Sequence, residues 1–197
     1  MRLYDLFPKT IASDELICLS DDHINYIENL EWQNDFKSGL LSKNQNLLDE
    51  DIFSNVKLEI IELAEAYVQH AFEHVYDGLR IVNSWANVVG YNQNINIHRH
   101  SNSYISGCFY LGCGSDFVFY NIDDHSFSIK PESKNPSNPR VSPSFSISPE
   151  RGKIIFFPSG LYHSVDTSLD DRNRYSVAFN IMPIGAIGSE TNMLYLK

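Results

Sequence analysis

The sequence predicts a mainly β protein, an antiparallel barrel or sandwich with N-terminal helices packed against one of its sheets. Two observations support this. Up to about residue 78, apolar residues recur mainly at the three- and four-residue spacing of helices; after it, the chain divides into short segments rich in Val, Ile, Phe, Tyr and Ser. A chain of 197 residues buries a substantial core, so we expect one domain over 1–197.

The helical part of the chain centres on one long amphipathic segment. Apolar side chains recur at helical spacing from Phe53 to Val75, acidic residues occupy 49–51, and Asp77-Gly78 provides an end signal, so we predict a helix over 49–76. A shorter helix is predicted over 23–32, after possible N-cap residues at 20–22. Residues 2–9 are predicted to form an edge strand, and residues 37–46 are predicted to form a loop.

The rest of the chain predicts a series of short strands separated by glycines and acidic turns. The candidate strands are 79–89, 95–100, 103–111, 116–121, 126–130, 144–148, 153–158, 162–166 and 174–182. Residues 130–143 contain four prolines and many small polar residues, which predicts a long loop. Such a loop is either a lid over a substrate or a plain insertion.

Composition narrows the possible partners and compartments. Lys and Arg number 15 against 25 Asp and Glu, a net charge of −10, which argues against nucleic acid or an anionic membrane as a partner. No apolar run approaches the roughly 20 residues of a membrane span, and no signal-peptide core is present. Three scattered cysteines predict no disulfide framework, so we expect a cytoplasmic protein. The sequence carries no signal for the oligomeric state.

Four of the seven histidines give weak signals. His23 and His125 are isolated, and we expect both on the solvated surface. His70 and His74 flank Glu73 in the H-x-x-E-H pattern of inverzincin metalloproteases. Because the match is only five residues long and no further protease motif follows, a structural role is favoured over this hypothesis.

The other three histidines predict a metal site. His98 and His100 lie in a strand-like run, where alternation places both rings on one face and Arg99 on the other. His163 follows a strand that ends in a Pro and Gly turn. A barrel can bring such a pair and a distant histidine together as three metal ligands.

At these residues the chain resembles the Fe(II)- and 2-oxoglutarate-dependent oxygenases, in particular a bacterial and phage family with similar motifs. The motifs are His98-Arg-His100, Ser-Gly-Cys-Phe-Tyr-Leu at 106–111, Phe-Pro-Ser-Gly-Leu-Tyr-His at 157–163 and Arg-Tyr-Ser-Val-Ala-Phe-Asn at 174–180. The resemblance covers about residues 82–182. It implies a double-stranded β-helix, the jelly roll shared with cupins, over about 79–183, with helical support over about 1–78 and a tail at 184–197.

The resemblance also implies a role for each matched residue. His98 and His163 would bind iron, and His100 takes the position where most of the superfamily has a carboxylate, so either His100 or water completes the site. Arg174, with Ser176, would hold the distal carboxylate of 2-oxoglutarate, and Tyr110 matches a tyrosine that contacts this cosubstrate. A guanidinium suits that role because it forms two parallel hydrogen bonds to a carboxylate.

The implied function is hydroxylation of a substrate C–H bond with Fe(II), 2-oxoglutarate and O₂, releasing succinate and CO₂. The substrate could be a peptidyl residue, a free amino acid or another small molecule. A competing hypothesis is a cupin-type metal enzyme or small-molecule-binding module, because residues 152–163 also fit the second cupin motif. The glutamate of the first cupin motif is missing after His100, and Arg174 would have no role there, so the oxygenase is favoured.

Overall fold

The computed structural model describes residues 1–5, 7–34, 39–122, 129 and 131–197. Two α-helices precede most of the strands: α1 at Asp21–Glu28 and α2 at Ser54–Ala71. The strands are β1 (Ala12–Glu15), β2 (Trp32–Asn34), β3 (Leu40–Ser42), β4 (Gly78–Val89), β5 (Ile95–His98), β6 (Ile105–Tyr110), β7 (Phe117–Tyr120), β8 (Ser144–Ile147), β9 (Lys153–Pro158), β10 (His163–Val165), β11 (Arg174–Ile187) and β12 (Leu194–Leu196).

The strands form two antiparallel sheets. In the larger sheet the order is β1-β9-β6-β11-β4-β3-β2, with β12 added alongside β11, and in the smaller sheet it is β5-β10-β7-β8. This arrangement confirms the predicted mainly β jelly roll with N-terminal helices. Long-range pairing organises the fold, because β11 lies between β4 and β6 and pairs with both.

The buried apolar residues form two clusters, one on each face of the larger sheet. The outer cluster joins α1 and α2 to the outer face of the larger sheet and includes Ile27, Phe53, Ile60, Phe156 and Phe179, all fully buried or nearly so. The inner cluster lies between the sheets and is rich in aromatic side chains: Tyr110, Phe117, Phe119 and Phe157 with several aliphatic residues. The helices thus stabilise the outside of the sheet and leave its inner face for the site.

The helix predicted over 49–76 is shorter than its apolar pattern. Two 3₁₀ turns, Leu47–Asp49 and Asp51–Phe53, precede α2, because Glu50 is extended at φ −70° and ψ 140°. The helix ends before Glu73, whose φ of 53° is left-handed, rather than at Asp77-Gly78. Apolar periodicity continues through both breaks because these turns also pack on the core.

Other differences concern short strands at the sheet edges. The predicted edge strand at 2–9 is absent from the described residues, and β1 begins at Ala12 instead. The predicted loop at 37–46 contains β3, and the segment after 183 continues β11 to Ile187 and adds β12. The strand predicted at 126–130 lies almost wholly outside the described residues, as does His125.

His23 is buried, so the prediction of a surface histidine is wrong. Its Nδ1 lies 3.0 Å from the backbone nitrogen of Ser20, as part of a capping box, and its Nε2 lies 2.8 Å from the carbonyl oxygen of Ile52. It joins α1 to the turn before α2.

None of the described helices is long and apolar enough to span a membrane, and all three cysteines are free thiols.

Candidate active site

Strand pairing in the smaller sheet brings two of the predicted metal ligands face to face. His98 at the end of β5 and His163 at the start of β10 are direct cross-strand neighbours, with ring centroids 4.2 Å apart. His100 follows β5, and the centroid of its ring lies 5.1 Å from the centroid of the His163 ring. One ligand atom from each of the three rings lies within 4.8 Å of the others, so the triad fits a metal site.

A β-bulge in β5 adjusts the strict alternation expected from the sequence. Val165 of β10 pairs with Ile95 rather than with residue 96, so β5 contains one extra residue here. As a result Ile95 and His98 both line the cavity, whereas residues 96 and 97 between them are both exposed. The bulge adds an apolar wall beside the histidine without moving the histidine from the inner face.

Backbone carbonyls set the orientation of two of the rings. The Nδ1 atom of His98 lies 2.8 Å from the carbonyl oxygen of Asn96, and that of His163 lies 2.8 Å from the carbonyl oxygen of Leu161. Because a carbonyl oxygen only accepts, each Nδ1 carries the proton and donates it. The neutral ring then presents the lone pair of Nε2, the form in which imidazole binds a metal.

His100 is supported by side chains rather than by the backbone. Its Nδ1 lies 2.6 Å from Asn180 Oδ1 and 2.9 Å from Ser106 Oγ. Ser106 Oγ donates to Asn180 Oδ1 at 2.6 Å and contacts Ser159 Oγ at 2.7 Å. This buried network supports the same Nδ1-protonated form as in the other two rings, so all three histidines present Nε2.

A buried guanidinium lies on the inner face of the larger sheet. Arg174, at the start of β11, is 1% exposed; its Nε donates to the carbonyl oxygen of Ser115 at 3.1 Å and its Nη1 to Ser176 Oγ at 3.1 Å. No described carboxylate pairs with it, and its buried Nη2 has no hydrogen-bond partner. Because an unpaired buried charge is costly, this arrangement fits an anionic ligand.

Tyr110 packs beneath Arg174 and supplies a second buried donor. The Arg174 Cζ atom lies 5.0 Å from the centre of the tyrosine ring, and the buried hydroxyl of Tyr110 lies near Arg174 and Cys108 without a hydrogen bond of good geometry. Burial raises the pKa of this phenol well above its usual value, so it remains a neutral O–H donor. Two unsatisfied donors thus lie close together beside Ser176.

One cavity of about 240 Å³ joins these groups. All three histidines line it, as do Arg174 and Ser176, whereas Tyr110 does not line it and contacts Arg174 through its ring. Burial raises the pKa of the Cys108 thiol, another lining group, to about 11, which keeps it neutral. The same cavity is therefore lined by the three histidines and the buried guanidinium, and this donor set fits both a metal ion and the dianion 2-oxoglutarate.

The metalloprotease hypothesis at His70 and His74 finds little support. His70 lies in the last turn of α2 and His74 beyond its end, separated by the left-handed Glu73, so the pair does not share one helix face. His74 instead contacts Tyr104, with Nδ1 2.6 Å from the hydroxyl oxygen. Within the described ranges, His98, His100 and His163 are the one group of potential ligands close enough together to hold a metal ion. The loop predicted over 130–143 is described from residue 131 onward, and none of its described residues lines the cavity.

Sequence reasoning missed the wall formed by β4. Asn83, Trp85 and Asn87 alternate along this strand and all line the cavity, together with Gln45 from the segment before α2. Asn83 and Asn87 share one face of β4 with Trp85, and two asparagines on one face of a strand are a signal that could have indicated a polar inner wall.

Comparison with known proteins places this geometry in a family. Residues 83–180 match the family model described as "Putative 2OG-Fe(II) oxygenase", and this segment contains all six predicted site residues. No curated protein matches the chain.

Solved structures share the fold at low sequence identity. HygX from Streptomyces hygroscopicus, with nickel, 2-oxoglutarate and hygromycin B bound, is 13% identical, with a TM-score of 0.62 over 89% of this chain and 83% of that one. A Pseudomonas putida prolyl-4-hydroxylase is 12% identical, with a TM-score of 0.62 over 90% and 94%. A Trichoplax adhaerens prolyl hydroxylase, with a peptide fragment of hypoxia inducible factor, is 12% identical, with a TM-score of 0.59 over 88% and 83%.

Proposed function

Because the chain belongs to the 2OG-Fe(II) oxygenases, we propose that His98, His100 and His163 hold its Fe(II) and that Arg174 holds its 2-oxoglutarate. Bound Fe(II) would supply the centre at which O₂ oxidises 2-oxoglutarate to succinate and CO₂ while a substrate C–H bond becomes C–OH. The single observation that carries the assignment is the unpaired Nη2 of Arg174 in the cavity that the three histidines line.

The metal-binding part of the proposal rests on the protonation of the rings. Backbone and side-chain acceptors hold the Nδ1 protons of His98, His100 and His163, which assigns metal binding to Nε2, and one ligand atom from each ring lies within 4.8 Å of the others. Three neutral ligands leave the full charge of a divalent ion uncompensated. The carboxylate of 2-oxoglutarate that is not held by Arg174 would supply part of the missing negative charge, so we expect metal and cosubstrate to strengthen each other's binding.

The cosubstrate part rests on the donors around β11. Arg174 Nη2 and the Tyr110 hydroxyl lack partners, and the Ser176 hydroxyl already contacts Arg174 Nη1 at 3.1 Å. A distal carboxylate beside Arg174 would accept from Nη2, and Tyr110, which does not line the cavity, would support the guanidinium that lies over its ring. Ser115 and Ser176 fix the guanidinium in advance, which lowers the entropy lost on binding.

Two substitutions separate the two ligand sites. Arg174→Ala removes a charge-assisted contact in a desolvated pocket, so the affinity for 2-oxoglutarate should fall at least tenfold while iron binding survives. His163→Ala should abolish iron binding, and with it tight 2-oxoglutarate binding. Arg172→Ala is a matched control, because Arg172 is exposed and pairs with Asp170 on the surface.

The readouts are iron retained after equilibrium dialysis, anaerobic calorimetry of 2-oxoglutarate binding, and succinate formed with Fe(II), 2-oxoglutarate and O₂. Unchanged 2-oxoglutarate binding by Arg174→Ala would place the carboxylate anchor elsewhere. Metal binding without any 2-oxoglutarate binding or succinate would favour the cupin-type alternative.

The remaining assignments concern partners and location. The described relatives bind a small molecule, hygromycin B, or a peptide fragment, and a substrate of either kind is proposed for this chain. A net charge of −10 supports the proposal that nucleic acid is not a partner, and three free cysteines support a cytoplasmic location.

A further inference from the structure

Strand β4 presents three polar or aromatic side chains beside the proposed ligand sites. In the pairing of β4 with β11, Asn83 lies opposite Asn180, Trp85 opposite Ala178, and residue 87 opposite 176. Asn180 supports His100, and the Trp85 ring lies 5.7 Å from the His100 ring. The β4 wall, defined as Asn83, Trp85 and Asn87, therefore borders both the metal site and the 2-oxoglutarate site.

The β4 wall contains an acceptor that the protein itself does not satisfy. Asn83 Oδ1 is buried and has no hydrogen-bond partner, although Asn83 lines the cavity. Folding normally pairs such atoms, because an unpaired buried acceptor loses its hydrogen bonds to water without replacement. A group with an N–H or O–H donor in this part of the cavity would satisfy this oxygen.

The charges around the cavity restrict that group further. Among its described lining residues there is no Asp, Glu or Lys, and Arg174 is the one permanently charged side chain. In the proposed function Arg174 is occupied by 2-oxoglutarate. A substrate ammonium would then lose its hydration beside the metal ion with no carboxylate of the protein to replace it. The cavity therefore disfavours zwitterions and amines at the reacting position.

We infer that the primary substrate presents an uncharged amide to the β4 wall, an inference that rests on the proposed function. An amide N–H would donate to Asn83 Oδ1, its flat group would lie against the Trp85 indole, and the carboxamide of Asn87 offers a donor for its carbonyl oxygen. Gln45 closes the same side, held by the bond from its Nε2 to the Ser42 carbonyl oxygen at 2.7 Å. Asn83 is then the specificity-determining residue.

The test compares simple probes on protein loaded with Zn(II) and 2-oxoglutarate, which binds without turnover. Propanamide represents a free amide and N-acetyl-L-alanine N-methylamide a peptide. N,N-dimethylpropanamide removes the N–H, and L-alanine and propylamine add charge. Dissociation constants come from ligand-observed NMR titrations, and calorimetry reports 2-oxoglutarate binding in the same samples.

At least one amide with an N–H should bind about tenfold more tightly than N,N-dimethylpropanamide and than either charged probe. Binding of both amides indicates a free-amide source, and binding of the peptide probe alone indicates a peptide. Asn83→Leu should remove this preference, and the nearly isosteric Asn83→Asp should favour propylamine. Asn25→Leu, at an exposed position of α1, is the matched control and should change nothing.

Several results would overturn the inference. They are equal or tighter binding of L-alanine or propylamine by the parent protein, unchanged amide binding by both Asn83 variants, or no amide binding by protein that still binds 2-oxoglutarate. Loss of 2-oxoglutarate binding by the parent is a different result: it rejects the proposed function and the inference with it.

Discussion

The guanidinium of Arg174 lies over the ring of Tyr110, with Cζ 5.0 Å from the ring centre, and each side chain keeps one buried polar atom without a partner. The attraction between the cation and the ring holds both groups in place. It does not replace the hydrogen bonds that Nη2 and the hydroxyl lost on burial. The ligand-free protein therefore carries a cost that a bound carboxylate would remove, which couples stability to cosubstrate binding.

Tyr110→Phe should change stability and binding in opposite directions. Removing the unsatisfied hydroxyl should raise the free energy of unfolding of the ligand-free protein by about 1 kcal/mol. It should also weaken 2-oxoglutarate binding by about three- to tenfold. Urea unfolding and calorimetry measure the two effects. Tyr120→Phe is the matched control: its hydroxyl is satisfied by Ser164 Oγ at 2.9 Å, so its loss should destabilise the protein. A less stable Tyr110→Phe would contradict the prediction.

Gly114→Ala should weaken 2-oxoglutarate binding about tenfold without loss of metal. A Cβ atom at Gly114 would lie 2.8 Å from Cβ and 2.9 Å from Cγ of Arg174, too close for either position to be kept. The arginine would shift from its contacts with Ser115 and Ser176. Gly112→Ala is the control, since its Cβ would meet no atom within 4 Å. Equal 2-oxoglutarate affinity in the two variants would contradict this account.

Asn180→Ala should weaken metal binding by about 10- to 100-fold, because it removes the acceptor that holds the Nδ1 proton of His100. Competition with a chelator for Fe(II) measures the loss. Asn180→Asp keeps an acceptor and adds negative charge behind the ring, so it should restore binding. Asn173→Ala, at an exposed residue next to β11, should have no effect. Loss of metal in both Asn180 variants would indicate that the site is disrupted and would contradict a specific role in holding the ring.

Alkaline pH should destabilise the protein through its buried acids. Burial raises the pKa of the Cys108 thiol from 9.0 to about 11, and it also raises the pKa of Tyr67 and of Tyr110. Each group is neutral in the folded state and ionises first in the unfolded state, so its contribution is full below the unfolded pKa and is lost above it. For Cys108 this corresponds to about 2–3 kcal/mol between pH 9 and 11.

Cys108→Ala tests this pH dependence directly. The free energy of unfolding in urea, measured at pH 8 and pH 11, should fall less for the variant than for the parent. The substitution also removes packing at both pH values, so the informative quantity is the difference between the two pH values. An equal fall in both proteins would show that Cys108 does not contribute.

The metal triad could be predicted because each histidine belongs to a local pattern that survives folding. Alternation fixed the shared face of His98 and His100, and the Pro and Gly turn placed His163 at the start of a strand. The pairing of His98 with His163 depends on strands 65 residues apart, so it could be inferred from the resemblance but not from either segment alone. Burial of Arg174 likewise depends on the β6–β7 turn, whose Ser115 carbonyl it contacts.

The features that sequence reasoning missed are those determined by distant partners. Strand β3 has three residues and is specified by its pairing with β2 and β4, since its own sequence has no strong strand signal. His23 is buried because the carbonyl of Ile52 reaches it from a turn 29 residues away. The lining role of Asn83 required knowledge of which face of β4 turns toward β5 and β10.

The bulge in β5 has a consequence for the integrity of the smaller sheet. β5 is only four residues long and lies at the edge of its sheet, where β10 is the one strand paired with it among the described residues. A slip of one residue against β10 would turn His98 outward and exchange it for Ile97, which is now 51% exposed. A metal ion bound by both His98 and His163 would link β5 to β10 at this edge. It would fix the register of β5 and slow hydrogen exchange of its amides. The exchange rate of these amides would therefore report the fraction of protein that has bound metal.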